Sequence, residues 1–336
     1  MKILFIISLQ DYLNPFKPLN NQQQIQFGVS YISSVLKSKG YITDIFVLTR
    51  KTKKKFLYNF IMKFNPDIIG FTAVATEYKF ISKIARYIRK SFPLIYLLIG
   101  GPHVSLNPNE PINDVFDAVC IGEGEYPTLE LIDQLNMGKK PIKIKNFWIK
   151  NDQKIEKNPT RDFIQDLDQL PFPDRKIWQK WIKWPNTPHS ILLGRGCPFN
   201  CTYCSNHGLR KLASGKYVRF RSIKNILKEL KDLVKKFPKI KEVYFEIETI
   251  GADLNFAINL CSELQRFNNH LKKKLSFGVN LRIIPKIDFE PLFQSLKKAN
   301  FRFINIGIES GSERIREKVL KRFYSNDDIL KNVKLA

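Results

Sequence analysis

The sequence predicts an α/β chain in two parts: a doubly wound parallel sheet at the N-terminus and a partial (β/α) barrel at the C-terminus. Three observations predict it. Strand-like and helix-like runs alternate through nearly all 336 residues, and such alternation implies right-handed crossovers between parallel strands covered by helices. The Pro-punctuated stretch Leu167-Asp168-Gln169-Leu170-Pro171-Phe172-Pro173 interrupts the alternation near the middle. The length suits two domains at roughly 150 residues each. A hydrophobic content of 43% and a charged content of 26% exclude a disordered chain and a small disulfide-stapled module.

In the first part, Lys2 to Ser8 reads as a buried strand and not a leader peptide. Its apolar run is short and meets Gln10 and Asp11 without a small-residue cleavage site. Ile25 to Ser38 has helical spacing and is stopped by Gly40. Ile42 to Leu48 is a β-branched strand, Phe56 to Phe64 a short helix ended by Pro66, and Asp67 to Val74 a third strand. In the helix Glu77 to Phe92, Phe80, Ile81, Ile84, Ala85 and Ile88 share one face. Leu94 to Ile99 is a fourth strand, entering Gly100-Gly101-Pro102-His103. Ala118 to Ile121 is a fifth, entering Gly122-Glu123-Gly124-Glu125, and Thr128 to Asn136 is the closing helix. Five such strands predict a flavodoxin-like (Rossmann-type) domain over residues 1–140. Ligands of such sheets sit beyond the carboxyl ends of the strands, here Thr72, Gly100, Gly101, Gly122 and Glu123, and glycines there let the backbone approach a bulky flat ligand. No Gly-x-Gly-x-x-Gly opens the first helix, which disfavours a dinucleotide. His103 and Cys120 read as turn and core residues.

Residues 141–188 are expected to form a hairpin and a linker. From Ile142 to Ile149, lysines alternate with apolar residues as in an exposed hairpin strand, with Asn151-Asp152 as the turn. No apolar run is long enough to cross a bilayer, so no membrane insertion is expected. Basic residues number 56 (41 of them Lys) against 31 acidic, for a net charge of +25. Residues 1–190 hold 27 basic and 17 acidic residues, and residues 191–336 hold 29 and 14. The excess is thus spread over both halves. Even the run Lys51 to Lys55 lacks the interleaved aromatics of a base-stacking platform. No nucleic-acid partner is expected; the charge would attract an anionic substrate or an acidic electron donor.

The chemistry concentrates in Ile191-Leu192-Leu193-Gly194-Arg195-Gly196-Cys197-Pro198-Phe199-Asn200-Cys201-Thr202-Tyr203-Cys204. An apolar strand enters a Gly-bounded loop with the spacing C-x3-C-x2-C. Thiolates this dense repel one another and oxidise unless a metal holds them. Structural zinc takes paired knuckles and four ligands, but the remaining Cys120 and Cys261 stand far away in apolar runs. Clustered free cysteines also suit a cytoplasmic protein. Three in one loop suit a four-iron cluster that leaves one iron open to substrate. Downstream, β and α signals alternate: a helix from Ser222 to Phe237, a strand from Glu242 to Glu248, and a helix from Asp253 to Phe267. A strand from Leu275 to Ile283, a helix from Phe289 to Ala299 and a strand from Phe303 to Ile308 follow. In a (β/α) barrel the site lies at the strand C-termini, where the polar residues are Glu246, Glu248, Asn280, Arg282, Glu309 and Ser310.

The cysteine loop closely resembles the radical S-adenosylmethionine (SAM) superfamily, with Tyr203 in the aromatic place of C-x3-C-x-aromatic-C. The resemblance implies that Cys197, Cys201 and Cys204 ligate a [4Fe-4S] cluster in residues 189–336, read as a partial radical SAM barrel. The open iron would take the amino and carboxylate groups of SAM, with Tyr203 against the adenine. Glu248, Arg282, Glu309 and Ser310 are further SAM-binding candidates, Arg282 for the carboxylate. An electron from a reducing donor such as flavodoxin or ferredoxin would cleave SAM to methionine and a 5′-deoxyadenosyl radical. Where the superfamily often has Gly-Gly-Glu, this chain reads Phe245-Glu246-Ile247-Glu248.

The first part resembles the cobalamin (B12)-binding domain fused to radical SAM enzymes. Gly100-Gly101-Pro102-His103, Asp117 to Glu125, Asp67 to Thr72, Leu170 to Pro173 and Gly307 to Ser312 carry the likeness. It implies a corrin held by Thr72, Gly100, Gly101, Gly122 and Glu123 and facing SAM. The Asp-x-His-x-x-Gly motif is absent, since the chain reads Asp11-Tyr12-Leu13 after the first strand, so cobalamin would lack a protein histidine as lower ligand. The implied reaction is methyl transfer to a small molecule, or its rearrangement or cyclisation. A radical SAM protein without cobalamin, and a truncated chain without independent activity, are the alternatives. A methylthiotransferase would need a second cysteine triad, which this chain lacks. Four β units stand where the superfamily's barrel has six, so truncation at the C-terminus is expected, with Phe303 to Ile308 as an uncovered edge.

Overall fold

The computed structural model describes residues 1–9, 16–152 and 154–336. Asp11-Tyr12-Leu13, read above for an axial histidine motif, lies outside the described residues. In chain order the strands are β1 (Lys2–Ser8), β2 (Leu19–Gln22), β3 (Ile42–Leu48), β4 (Ile68–Thr72), β5 (Tyr96–Gly100), β6 (Ala118–Cys120), β7 (Phe147–Asn151), β8 (Lys154–Lys157), β9 (Ile182–Leu192), β10 (Gly194–Arg195), β11 (Arg219–Phe220), β12 (Glu242–Glu246), β13 (Ser276–Leu281) and β14 (Phe301–Ile306).

The first sheet has the order β3-β1-β4-β5-β6-β7-β8. Strands β3, β1, β4, β5 and β6 are parallel, in the 2-1-3-4-5 order of a flavodoxin-like domain. Helices cover both faces, so Ile3, Leu4, Ile6 and Ile7 of β1 are all fully buried, as a near-continuous apolar strand requires. The hairpin differs from the expectation of an exposed strand. β7 and β8 extend this sheet antiparallel beyond β6, and Phe147 and Ile149 are buried, so Trp148 and Lys150 mark only the outer face, while Lys143 and Lys145 precede the strand.

The second sheet has the order β14-β13-β12-β9-β2, all parallel. It is open, and among the described residues no closed barrel forms. Helices Ile223–Lys236 and Leu254–Asn269 start on side-chain caps from Ser222 and Asp253, and they bury Val243, Phe245, Phe277 and Val279 on one face. β14 is an edge strand, as expected. The other edge was not expected: β2, from the N-terminal part, pairs with β9. Its sequence, Leu-Asn-Asn-Gln, has no strand propensity, and pairing with a neighbour that is distant in sequence overrides that.

The Pro-containing linker is tightly bound. Trp178 Nε1 donates to Ser30 Oγ (2.8 Å) and Trp181 Nε1 to the Ile45 carbonyl (3.0 Å). Glu229 of the first barrel helix accepts from Arg175 (2.7 Å) and Arg221 (2.6 Å) out of solvent. No described helix is long and apolar enough to cross a membrane.

Candidate functional site

The parallel strands of the first sheet end at Thr72, Gly100 and Cys120, and the turns beyond them are built on glycine. Gly101 has φ +101°, and a Cβ there would lie 2.7 Å from the Ala73 carbonyl and from Thr72 Oγ1. Gly122 has φ +82°. Both positions are closed to larger residues. The bare backbone they leave is one wall of a cavity of about 560 Å³ with Phe5, Phe71 and Leu98 at its apolar side. Arg195, Gly196, Asn206, Tyr217 and Glu248 from the second half form the opposite wall. Five residues expected at a corrin (Thr72, Gly100, Gly101, Gly122 and Glu123) and one expected at SAM (Glu248) therefore line a single cavity. Cys120 lines it too, its thiol pushed up to about 12 by burial and then by Glu125. His103 is held by Glu110 (3.0 Å) and stacks on Tyr78.

Four charged groups join the two walls. Glu123 accepts from Arg195 Nη1 (2.9 Å), Arg219 Nη1 (3.1 Å) and the Ile164 amide (2.7 Å). Burial alone would raise its pKa, but the two guanidiniums prevail and hold it below the ordinary carboxylate range. Glu125 Oε1 accepts from Arg195 Nη2 (2.5 Å). Arg195, in turn, lies over the ring of Tyr31 (5.3 Å). Glu123 thus lines the cavity with its carboxylate already engaged.

Arg195 stands two residues before Cys197, on the short ladder in which Gly194 faces Phe220 and Arg195 faces Arg219. Cys201 is buried, and its sulfur accepts from Arg282 Nη1 (2.7 Å), whose guanidinium lies 3.8 Å over Phe199. Arg282 is thus directed at a cysteine. Cys204 Sγ accepts from Asn206 Nδ2 (3.5 Å), and Tyr217 donates to Asn206 Oδ1 (2.5 Å). Burial raises the pKa of Glu248, against hydrogen bonds that include the Gly196 amide and Asn206. Burial also raises Cys197. Among the described residues no three His, Cys, Asp or Glu side chains converge on one metal ion. A four-iron cluster takes each thiolate on a separate iron and does not require that convergence.

Tyr203 is half exposed, and its hydroxyl accepts from Arg322 Nη1 (2.6 Å). The same guanidinium binds Glu309 (2.9 Å) and the Gly307 carbonyl (2.7 Å). The Ser310 carbonyl accepts from Arg316 (2.6 Å), which is fully buried. Tyr203 and Glu309 therefore meet through Arg322, while Glu248 and Arg282 stand at the other cysteines. A second cavity of about 460 Å³ is lined by Glu246, Glu248, Asn280, Phe27 and Arg195 among others. Glu246 there is pushed up to about 7 by burial, then by Glu248. Arg195, Arg219, Asn206 and Arg322 escaped sequence reasoning. Only Arg195 carried a signal, standing between two glycines and just before the first cysteine.

Residues 191–336 match the family model described as Radical SAM superfamily, and residues 22–132 match the B12 binding domain. An uncharacterized methyltransferase of Pyrococcus horikoshii is 29% identical over 301 residues, which are 88% of this chain and 62% of that protein. The anaerobic magnesium-protoporphyrin IX monomethyl ester cyclase of Rubrivivax gelatinosus is 26% identical over 300 residues, 85% of this chain and 52% of that one. The chain thus spans between half and two thirds of the length of these curated relatives. The structure of the radical S-adenosylmethionine methyltransferase TsrM from Kitasatospora setae, with cobalamin and a [4Fe-4S] cluster bound, superposes with a TM-score of 0.72. That match has 17% identity and covers 99% of this chain and 66% of that one; it is a likeness of fold.

Proposed function

We propose that this chain, which belongs to the radical SAM superfamily and carries a B12-binding domain, works as a cobalamin-dependent radical SAM enzyme that transfers a methyl group to a small molecule. Cys197, Cys201 and Cys204 would hold a [4Fe-4S] cluster. Tyr203, Glu248, Arg282, Glu309 and Ser310 would surround SAM. Thr72, Gly100, Gly101, Gly122 and Glu123 would border the corrin. The domains would divide at 1–140, 141–188 and 189–336. When bound, the cluster supplies the electron that cleaves SAM to a 5′-deoxyadenosyl radical, and cobalamin carries the methyl group.

One observation carries this reading: a single cavity has the glycine strand ends of the first sheet as one wall and the approach to the cysteine loop as the other. The residues present fit the two groups. Three thiols in one loop are the donor set of a cluster with an open iron. The Gly101 cradle, which a Cβ would fill, and the apolar side suit a broad flat ring. The chain's own groups have definable work. Arg282 and Asn206 donate to the Cys201 and Cys204 sulfurs, and such donors stabilise the charged thiolate form. Phe5, Phe71 and Leu98 keep water from the cavity side. Glu246 and Asn280 present polar groups to the second cavity, where a substrate would meet SAM. An acidic donor protein such as flavodoxin or ferredoxin suits the net charge of +25.

The test is anaerobic reconstitution with iron and sulfide, followed by SAM, a reductant and hydroxocobalamin. Wild type is expected to show cluster absorbance, release 5′-deoxyadenosine and perturb the corrin spectrum, and Cys201→Ala to lose the first two. A wild-type chain that takes up no cluster would refute the proposal. A chain that cleaves SAM but leaves the corrin spectrum untouched would favour the radical SAM reading without cobalamin.

A further inference from the structure

Two arginines join the two walls of the main cavity, Arg219 through Glu123 and Arg195 through both acidic residues of the glycine wall. Arg195 reaches Glu123 with Nη1 and Glu125 with Nη2, so its planar fork is held at both prongs. Glu123 belongs to the turn after β6 and Glu125 opens the helix that follows it, both on the glycine wall. Arg195 belongs to β10, which enters the cysteine loop. The side chains are largely out of solvent, with 3% exposure for Glu125, 16% for Glu123, 17% for Arg195 and 4% for Arg219. The backbone around Arg195 has no slack. A Cβ at Gly194 would stand 2.3 Å from the Arg219 carbonyl, and one at Gly196 would stand 2.2 Å from the Tyr217 carbonyl. A shift of the 122–125 turn therefore cannot be absorbed locally. It either draws β10 and the loop with it or leaves a buried charge without its partner, which is costly. Arg195 also borders the second cavity.

We infer that Arg195 is a positioning residue that couples the corrin wall to the cysteine loop, so that a corrinoid seated against Gly122–Glu125 fixes the loop that holds the cluster. The inference rests on the cofactor reading above. Coupling in binding free energy is reciprocal: the corrinoid holds the cluster more tightly and the cluster holds the corrinoid more tightly, and at an unchanged assembly rate the first is read as slower iron release.

The test uses the full chain reconstituted anaerobically with iron and sulfide. Hydroxocobalamin affinity is read by absorbance, and iron release to a chelator is timed with and without hydroxocobalamin. In wild type, saturating hydroxocobalamin is expected to slow iron release about tenfold, within the usual range of coupling between sites. Arg195→Gln is expected to assemble a cluster and bind hydroxocobalamin, yet to lose the slowing to below about twofold, and Arg195→Lys, reaching one carboxylate, to fall between. A purely structural Arg195 would change both release rates alike and keep their ratio, and that result overturns the inference. So does a wild type that binds hydroxocobalamin with no change in iron release, which leaves the cofactor reading standing. A wild type that binds none overturns both. If Arg195→Gln does not fold, the double variant Arg195→Gln, Glu125→Gln removes the Arg195–Glu125 pair together and leaves Glu123 paired with Arg219, and it is held to the same ratio.

Discussion

Replacing Gly196 by alanine strains the backbone immediately before Cys197. Gly196 has φ +88°, a region that costs an L-residue about 1–2 kcal/mol. The new Cβ would lie 2.2 Å from the Tyr217 carbonyl oxygen and 2.8 Å from its carbon. These are backbone atoms that the Gly194–Phe220 and Arg195–Arg219 ladder holds in place, and relieving such an overlap costs about 1–3 kcal/mol more. The stiffer unfolded chain returns about 0.4–1 kcal/mol, which leaves a net loss of about 2–4 kcal/mol localised at the cysteine loop. Gly311 is the internal control, because a Cβ there meets nothing within 4 Å and its replacement should stay within about 0.5 kcal/mol. The four tryptophans, at 148, 178, 181 and 184, all precede the cysteine loop. Urea unfolding followed by far-UV circular dichroism should show a component lowered by about 1 M, while the tryptophan transition moves little. Iron retention after reconstitution should fall in parallel. Equal midpoints and iron content for Gly196→Ala and Gly311→Ala would refute the reasoning.

The buried trio offers another test. Glu229→Leu strands the Arg175 and Arg221 guanidiniums and should cost about 3–5 kcal/mol in urea unfolding read by tryptophan fluorescence. Because the Glu123 carboxyl is held below its ordinary pKa, its contribution is complete above about pH 4.3 and is lost as pH falls through the lower folded value. Glu123→Gln should flatten that acid limb in a pH series of melting temperatures. Glu246 has the opposite sign: at about 7 in the fold against 4.5 outside it, it destabilises the protein as pH rises from about 4.5 to 7. Glu246→Gln should therefore gain about 1–2 kcal/mol on wild type at pH 8, after discounting for partial solvent access, and nothing at pH 4. Arg322→Met releases both Tyr203 and Glu309. It should weaken SAM binding by about tenfold in equilibrium dialysis, with iron content unchanged.

Legibility followed the range of the interactions. β1, β4, β5 and β6 were readable because a strand buried on both faces must be apolar along its length, and that pattern is local; β3, an edge strand carrying Thr43 and Asp44, was readable from its β-branched run. The cysteine loop was readable because its three thiols are packed into eight residues. β2 was not: Leu19-Asn20-Asn21-Gln22 becomes a strand only because β9 offers it an edge. The hairpin was half readable, its turn correct and its burial missed, because alternation reveals which face is polar but not what covers the other. Glu123 lines the cavity, but its engagement by Arg195 and Arg219 links positions 72 and 96 residues away, and no local signal encodes that.

By itself the sequence determined the two α/β halves, the glycine-bearing strand ends and the three thiols, since backbone preference, burial and cysteine spacing act over a few residues. The tertiary structure decided that the glycine wall and the residues flanking the cysteine loop share one cavity. It decided that Arg282 serves a cysteine, that Tyr203 and Glu309 meet through Arg322, and that Arg195 ties the halves together. Those outcomes depend on charges withdrawn from solvent, which find partners wherever folding places them and not where the chain is near.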